Sequence, residues 1–265
     1  MKIVTAANWR MRQYAKSCLK SAKRFHYDIA IYDLGKLGFG CPFDVENESF
    51  QENGYYRKVR PGRFSVADHK PQLIRNCLEE YGEFIVYLDA DTIINHRIDE
   101  ALGDYDVGLT VRPEWENKFR EKNTRRSVGA LGMDAEDFLL YDNYINGGVM
   151  FFNHTENAYR FIDEWESEMV KIPEDQGALN SMLKAHFPLK SGQTVVHNGI
   201  RIRLFGTIEY NYYYFMDLYR QFEKDLKVKQ CAAKILHFKG RWSRIEYLKI
   251  YHPLKYKFLK FFRYL

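Results

Sequence analysis

Residues Phe84–Ile94 read FIVYLDADTII, five apolar side chains that stop at two carboxylates, Asp89 and Asp91, one residue apart. An apolar run of this length bounded by polar residues reads as a strand buried on both faces, the pattern of a parallel sheet. Asp89 and Asp91 then emerge at its carboxyl end, where open α/β sheets bind ligands. Ala90, between them, leaves room for a close neighbour. Two acidic side chains on one wall of a crevice repel each other unless a cation lies between them. A hard divalent ion that also carries phosphate oxygens meets that need.

Outward from this strand the chain alternates strand and helix. Lys2–Ala7 (KIVTAA) reads as a strand ending in small residues that let a ligand approach the backbone. A helix from about Arg10 to Arg24 follows, with Asn8 as its expected cap and Tyr14, Cys18 and Ala22 on one stripe. Tyr27–Tyr32 is the next strand, closed by Asp33, and the β-α-β unit predicts a right-handed parallel crossover. No Gly-x-Gly-x-x-Gly follows the first strand, which argues against a dinucleotide fold. Gly38–Phe64 reads as a polar loop with Arg57, Lys58, Arg60 and Arg63 near its end, read as a solvated face. Residues 67–71 open a helix to about Tyr81, with Pro71 in its first turn.

Beyond the acidic pair, Asp104–Arg112 reads as a strand and Pro113–Glu136 as a polar excursion. Tyr144–Asn153 (YINGGVMFFN) is a strand entered through Asn146-Gly147-Gly148, where two glycines permit an unusual turn. Helices are expected at Ala158–Lys171 and Gly177–Lys184, the second capped by residues 173–176. Strands follow at His197–Phe205 and Ala233–Phe238, with a dense aromatic patch, Ile208–Phe215, between them. The tail, Lys249–Leu265, carries Lys and Arg but no acid. Leu254, Phe258, Phe261 and Leu265 share a helical face with Lys257, Lys260 and Arg263 nearby, the pattern of an interfacial helix and equally of a helix packed on the domain.

Composition narrows the class. A hydrophobic content of 46% excludes a disordered or fibrous chain, and a net charge of only +5 over 265 residues gives no ground for nucleic-acid binding. The four cysteines, at 18, 41, 77 and 231, form no C-x-x-C pair, which favours reduced thiols. The start lacks a signal-peptide core, and no apolar stretch approaches the ~18–20 residues that span a bilayer. The expected location is the cytoplasm, with peripheral membrane contact through the tail. We expect one domain at 1–248 and a basic-aromatic helical tail at 249–265.

Seven segments in order, VTAAN, HKP, YLDADTI, INGGVMFFN, EDQGALN, EYN and HFKGRW, cover most of the chain. Together they resemble the nucleotide-sugar glycosyltransferases of the GT-A fold, especially the glycogenin-like and galactosyltransferase members of family 8. The family's terminal His-x-x-Gly-x-x-Lys-Pro-Trp keeps His237 and Gly240 here and lacks the Lys-Pro pair. The resemblance implies an α/β fold with a mixed, mostly parallel sheet flanked by helices. It implies transfer of a sugar from a nucleotide diphosphate, UDP being the expected nucleotide, to a glycan or glycoconjugate.

By the same resemblance Asp89, Asp91 and His237 hold Mn²⁺ or Mg²⁺. Ala6, Ala7, Asn8, Asp33 and Ala90 line the nucleotide side, and Lys70, Lys239, Gly240 and Arg241 grip phosphates. Asn146, Gly147, Gly148 and Gln176 shape the sugar and acceptor side. Asp175 is the candidate general base if the reaction inverts the anomeric centre, and a positioning group if it retains. Taken only as a helix-start carboxylate it interacts with the dipole. Two other readings of the acidic pair stand beside this one. In a haloacid dehalogenase-type phosphatase Asp89 is a covalent nucleophile, although Thr92 lies one position early for that motif. The third is a non-catalytic nucleotide-sugar or glycan-binding protein.

Overall fold

The computed structural model describes residues 1–7, 11–33, 58–60, 63–64, 70–114, 116–117, 144–172, 175–213, 232–238, 248, 252–255 and 257. Strand β1 (Lys2–Ala7), helix α1 (Arg12–Arg24) and β2 (Asp28–Asp33) form the expected β-α-β unit, with β1 and β2 parallel. Met11 takes the cap position of α1 without a side-chain bond, so the helix starts later than expected, while Asn8 lies outside the described residues. Ala15, Cys18 and Ala22 form the buried stripe of α1. The basic loop ends in a short antiparallel pair, β3 (Lys58–Arg60) and β4 (Arg63–Phe64), where a loop was expected.

Helix α2 (Lys70–Tyr81) leads into β5 (Ile85–Asp89), the strand of the apolar run. Its side chains alternate between two cores, as strand geometry requires. Ile85 and Tyr87 join the core under α2, α3 (Glu156–Lys171) and α4 (Asp175–Met182), while Val86 and Leu88 join the one under α1. Each fully buried apolar side chain contributes roughly 1.5–3 kcal/mol. That two-sided burial explains why the run carries no polar residue before Asp89. Helix α3 begins two residues before the expected Ala158 because the Thr155 side chain accepts from Ala158 N at 3.2 Å.

After β6 (Thr92–Ile94) come β7 (Val107–Val111), β8 (Ile145–Phe152), β9 (Thr194–His197) and β10 (Ile200–Gly206). The large sheet runs β2-β1-β5-β8-β7-β10-β9. Strands β2, β1, β5, β7 and β10 point one way, and β8 and β9 the other, so the sheet is mixed and mostly parallel, flanked by helices on both faces. The single strand expected at His197–Phe205 is a hairpin. Asn198 and Gly199 turn it with φ of 50° and 81°, the paired positive angles of a tight two-residue turn.

A second, three-stranded sheet places the C-terminal part of the chain. Short helix α5 (Thr207–Tyr210) precedes β11 (Tyr212–Tyr213), which pairs with β12 (Ile235–His237), and β12 pairs antiparallel with β6. Thr92–Ile94, beyond the acidic pair, is therefore a separate strand in another sheet. Asn8, Lys239, Gly240, Arg241 and most of the tail, including Phe258, Lys260, Phe261, Arg263 and Leu265, lie outside the described residues. Among the described residues no helix is long and apolar enough to cross a membrane.

Candidate active site

The site forms where the two sheets meet. Asp89 is the last residue of β5, in register with Ala6 of β1, and Ala7 is in register with Asp33 of β2. Asp91 lies one residue before β6. Because β12 pairs with β6, His237 sits opposite Thr92, and Phe238 N donates to Asp91 O at 2.9 Å. The backbone pairing thus carries an imidazole from the far end of the sequence onto the acidic pair. His237 Nε2 lies 3.1 Å from Asp91 Oδ1 and 3.7 Å from Asp89 Oδ2. One ligand atom from each of the three residues falls within 4.8 Å of the others, a group that could hold a metal ion.

Lys70, at the start of α2, reaches the other side of Asp89. Its Nζ is 3.1 Å from Asp89 Oδ1 and 2.6 Å from Asp175 Oδ2, and donates to Gly147 O at 3.0 Å. Burial works against the ammonium, but the charges of Asp175 and Asp89 outweigh it and hold the Lys70 pKa well above the ordinary lysine value. Tyr87, inside the apolar run, donates its hydroxyl to Asp89 Oδ1 at 3.1 Å. Burial raises that phenol's pKa, and the Asp89 carboxylate adds to the rise against the opposing charge of Lys70. Asp175 opens α4, and its backbone carbonyl accepts from Trp165 Nε1 at 3.0 Å, which pins the helix start beneath the site.

Strand β8 bulges at the glycines. Its pairing with β7 shifts between Leu109–Met150 and Thr110–Asn146, leaving Gly147 and Gly148 out of that ladder. The freed backbone points at the site. Gly147 N donates to Gln176 Oε1 at 3.2 Å, and Gly148 N to Asn146 Oδ1 at 3.0 Å. Neither glycine has a positive φ, so the turn expected there is a bulge instead. The glycines serve close approach. A Cβ on Gly148 would lie 2.4 Å from His237 Cε1, and one on Gly147 would lie 3.2 Å from Asp175 Oδ2.

Of the residues read from the sequence, Asp89, Asp91, His237, Lys70, Asp175, Gln176, Asn146, Gly147 and Gly148 converge, with Ala6 and Ala90 adjoining. Three others were not read as site residues. Asn211 Oδ1 faces His237 Nδ1 at 2.8 Å as an acceptor, Thr110 contacts Asn211, and Tyr87 holds Asp89. The EYN segment contained Asn211. Nothing in the sequence distinguished Thr110 or Tyr87 from core residues.

The fold has solved counterparts. A glycosyltransferase involved in the glycosylation of the major capsid of PBCV-1 superposes with a TM-score of 0.54 at 12% identity, covering 94% of this chain and 98% of that one. The galactosyltransferase LgtC, solved with donor and acceptor sugar analogs, gives 0.50 at 15% identity, covering 91% of this chain and 87% of that one. At these identities the likeness establishes architecture alone. A comparison with curated proteins gave no match. The nucleotide-diphospho-sugar transferase family profile matches residues 32–241. That match spans most of the chain and displaces the phosphatase and non-catalytic readings of the acidic pair: the chain belongs to the nucleotide-diphospho-sugar transferases, as a glycosyltransferase of the GT-A fold.

Proposed function

We propose that the chain transfers a sugar from a UDP-sugar to a hydroxyl of a glycan or glycoconjugate, with Mn²⁺, or Mg²⁺ in its place, held by Asp89, Asp91 and His237. The observation that carries this reading is the convergence of those three side chains within 4.8 Å. Two carboxylates and an imidazole suit a divalent ion that accepts both oxygen and nitrogen, which favours Mn²⁺ over Mg²⁺. When bound, such an ion supplies Lewis-acid stabilisation of the departing diphosphate.

The chain's own residues supply the rest. Ala6, Ala7 and Ala90 keep the carboxyl end of the sheet low for the nucleotide. Lys70 places a fixed positive charge beside Asp89, where negative charge grows on the leaving group. Asp175 keeps Lys70 in place through the 2.6 Å ion pair. To take the acceptor's proton it would first have to give up that partner, so we assign it to positioning. Asn146 Nδ2 is buried and has no hydrogen-bond partner among the described residues. An orphaned amide donor costs about 1–3 kcal/mol, which a sugar oxygen would relieve. Gln176 holds the Gly147 backbone on the same wall.

Calorimetry and thermal shift with UDP, GDP, CMP and dTDP, each with Mn²⁺ and with chelator, test the reading. At a hundredfold excess over Kd, binding adds about 2.7 kcal/mol, enough to raise Tm by several degrees. The expected result is UDP binding that requires Mn²⁺ and is lost in Asp91→Asn. An Asp91→Asn protein that binds UDP-sugar with wild-type affinity and metal dependence would overturn the metal assignment.

A further inference from the structure

On the side away from the carboxylates the imidazole of His237 meets Asn211, and the residues behind that contact dictate its sense. Thr110 lies in β7 at the β8 bulge, and Asn211 follows α5; both are fully buried. Thr110 Oγ1 lies 2.7 Å from Asn146 O and 3.2 Å from Val149 O. Backbone carbonyls only accept, so the hydroxyl proton points at them and its lone pair faces Asn211. Asn211 Nδ2 donates to that hydroxyl at 2.9 Å and reaches Asn146 O at 3.3 Å. Flipping the amide would set its oxygen against a carbonyl. Its Oδ1 must therefore face His237 Nδ1, 2.8 Å away, and Nδ1 must be the protonated nitrogen.

The ring cannot escape by rotating. β12 is fixed by pairing on both edges, and the ring packs on Gly148 so closely that a Cβ there would overlap it. The remaining freedom is the position of the proton. Left alone, a neutral imidazole 3.1 Å from Asp91 would carry its hydrogen on Nε2 and donate it to the carboxylate, hiding the lone pair that a metal needs. We infer that Asn211, anchored by Thr110, is a positioning residue that holds His237 as the Nδ1–H tautomer and presents Nε2 to Asp89 and Asp91. The inference rests on the metal reading for its purpose, but the tautomer itself does not. Outer contacts of this kind orient ligating histidines generally; here the relay begins at the backbone of the β8 bulge, so ligand geometry and the wall beside it are one unit.

The test uses the full chain, wild type, Asn211→Leu and Asn211→Asp, each shown folded by circular dichroism and thermal melting. Leucine removes the acceptor; aspartate keeps an oxygen toward Nδ1. Nitrogen-15 shifts of the His237 ring, taken without metal across a pH series, report the tautomer. Mn²⁺ binding without nucleotide is read by calorimetry. Expected are Nδ1–H in wild type and Asn211→Asp, Nε2–H in Asn211→Leu, and about 10–100-fold weaker Mn²⁺ binding in Asn211→Leu, most of it recovered in Asn211→Asp. Nε2–H in the wild type, or an Asn211→Leu protein with unchanged tautomer and affinity, overturns the inference. A wild type that is Nδ1–H yet binds no Mn²⁺ would instead overturn the metal reading and support the positioning of His237 by Asn211.

Discussion

Lys70 Nζ and Asp175 Oδ2 lie 2.6 Å apart, and both side chains are about 6% exposed. The pair joins the start of α2 to the start of α4, and Lys70 continues to Asp89. Removing one partner from a buried pair leaves an uncompensated charge, so Lys70→Met should destabilise the protein by roughly 3–5 kcal/mol. The double variant Lys70→Met/Asp175→Asn should recover part of that loss, because the stranded carboxylate is gone. Urea unfolding of wild type, both single variants Lys70→Met and Asp175→Asn, and the double variant measures both. A single variant indistinguishable from wild type would mean that the pair is solvated and structurally idle.

The same pair sets an alkaline dependence. The Lys70 pKa is raised in the folded protein by Asp175 and Asp89 against the cost of burial. A group with a raised folded pKa contributes fully below its unfolded value, about 10.4 for lysine, and loses that contribution as pH rises through the folded value. The stability gap between wild type and Lys70→Met should therefore stay constant from about pH 8 to pH 10 and narrow only above that. Denaturant midpoints along an alkaline series decide it. A gap already closing below about pH 9 would contradict the shift.

What could be read beforehand divides along physical lines. The central strand, the acidic pair and the helices were legible because two-sided burial demands an unbroken apolar run and because helix stripes repeat every turn. His237 was legible only through the ordered motifs, since one histidine near a strand end carries no local signal. Strand β6 was not legible: Thr92–Ile94 is only three residues long, too short to show a period, and its pairing with β12 is what makes it a strand. The hairpin had a signal, Asn198-Gly199, masked by alternation that continues across the turn. Asn211, Thr110 and Tyr87 owe their roles to contacts between residues far apart in sequence, which composition does not encode. The glycines at 147 and 148 were read for conformational freedom, whereas in the structure neither has a positive φ and both leave room for close neighbours.

Cys18 should be chemically silent in the native protein. Burial, with a further contribution from Asp91 against the hydrogen bond to Thr92, pushes its thiol pKa to about 12. At about pH 8 the thiolate is then on the order of one part in ten thousand, and Cys77 is equally buried. Iodoacetamide followed by peptide mass spectrometry should find both unmodified before denaturation and fully modified after it. Rapid native labelling at Cys18 would show that α1 opens away from β6.

Gly148 and Gly147 offer a graded test of the crowded wall. A Cβ on Gly148 would lie 2.4 Å and 2.6 Å from His237 Cε1 and Nδ1, atoms held by Asn211 and by strand pairing, so the ring has nowhere to yield. On Gly147 the nearest atoms are Asp175 Oδ2 at 3.2 Å and Lys70 Nζ at 3.6 Å, ends of longer side chains that can give by a few tenths of an ångström. Overpacking of the first kind costs about 1–3 kcal/mol. Because the displaced group is the imidazole of the proposed metal site, Gly148→Ala should also weaken Mn²⁺ binding by about 10-fold or more. Gly147→Ala should bind Mn²⁺ nearly as wild type does and lose nucleotide-sugar affinity, since Lys70 shifts. Calorimetry with Mn²⁺ alone and then with UDP separates the two. The reverse ranking for Mn²⁺ would place the metal against Gly147 and Lys70 and remove His237 from its ligands.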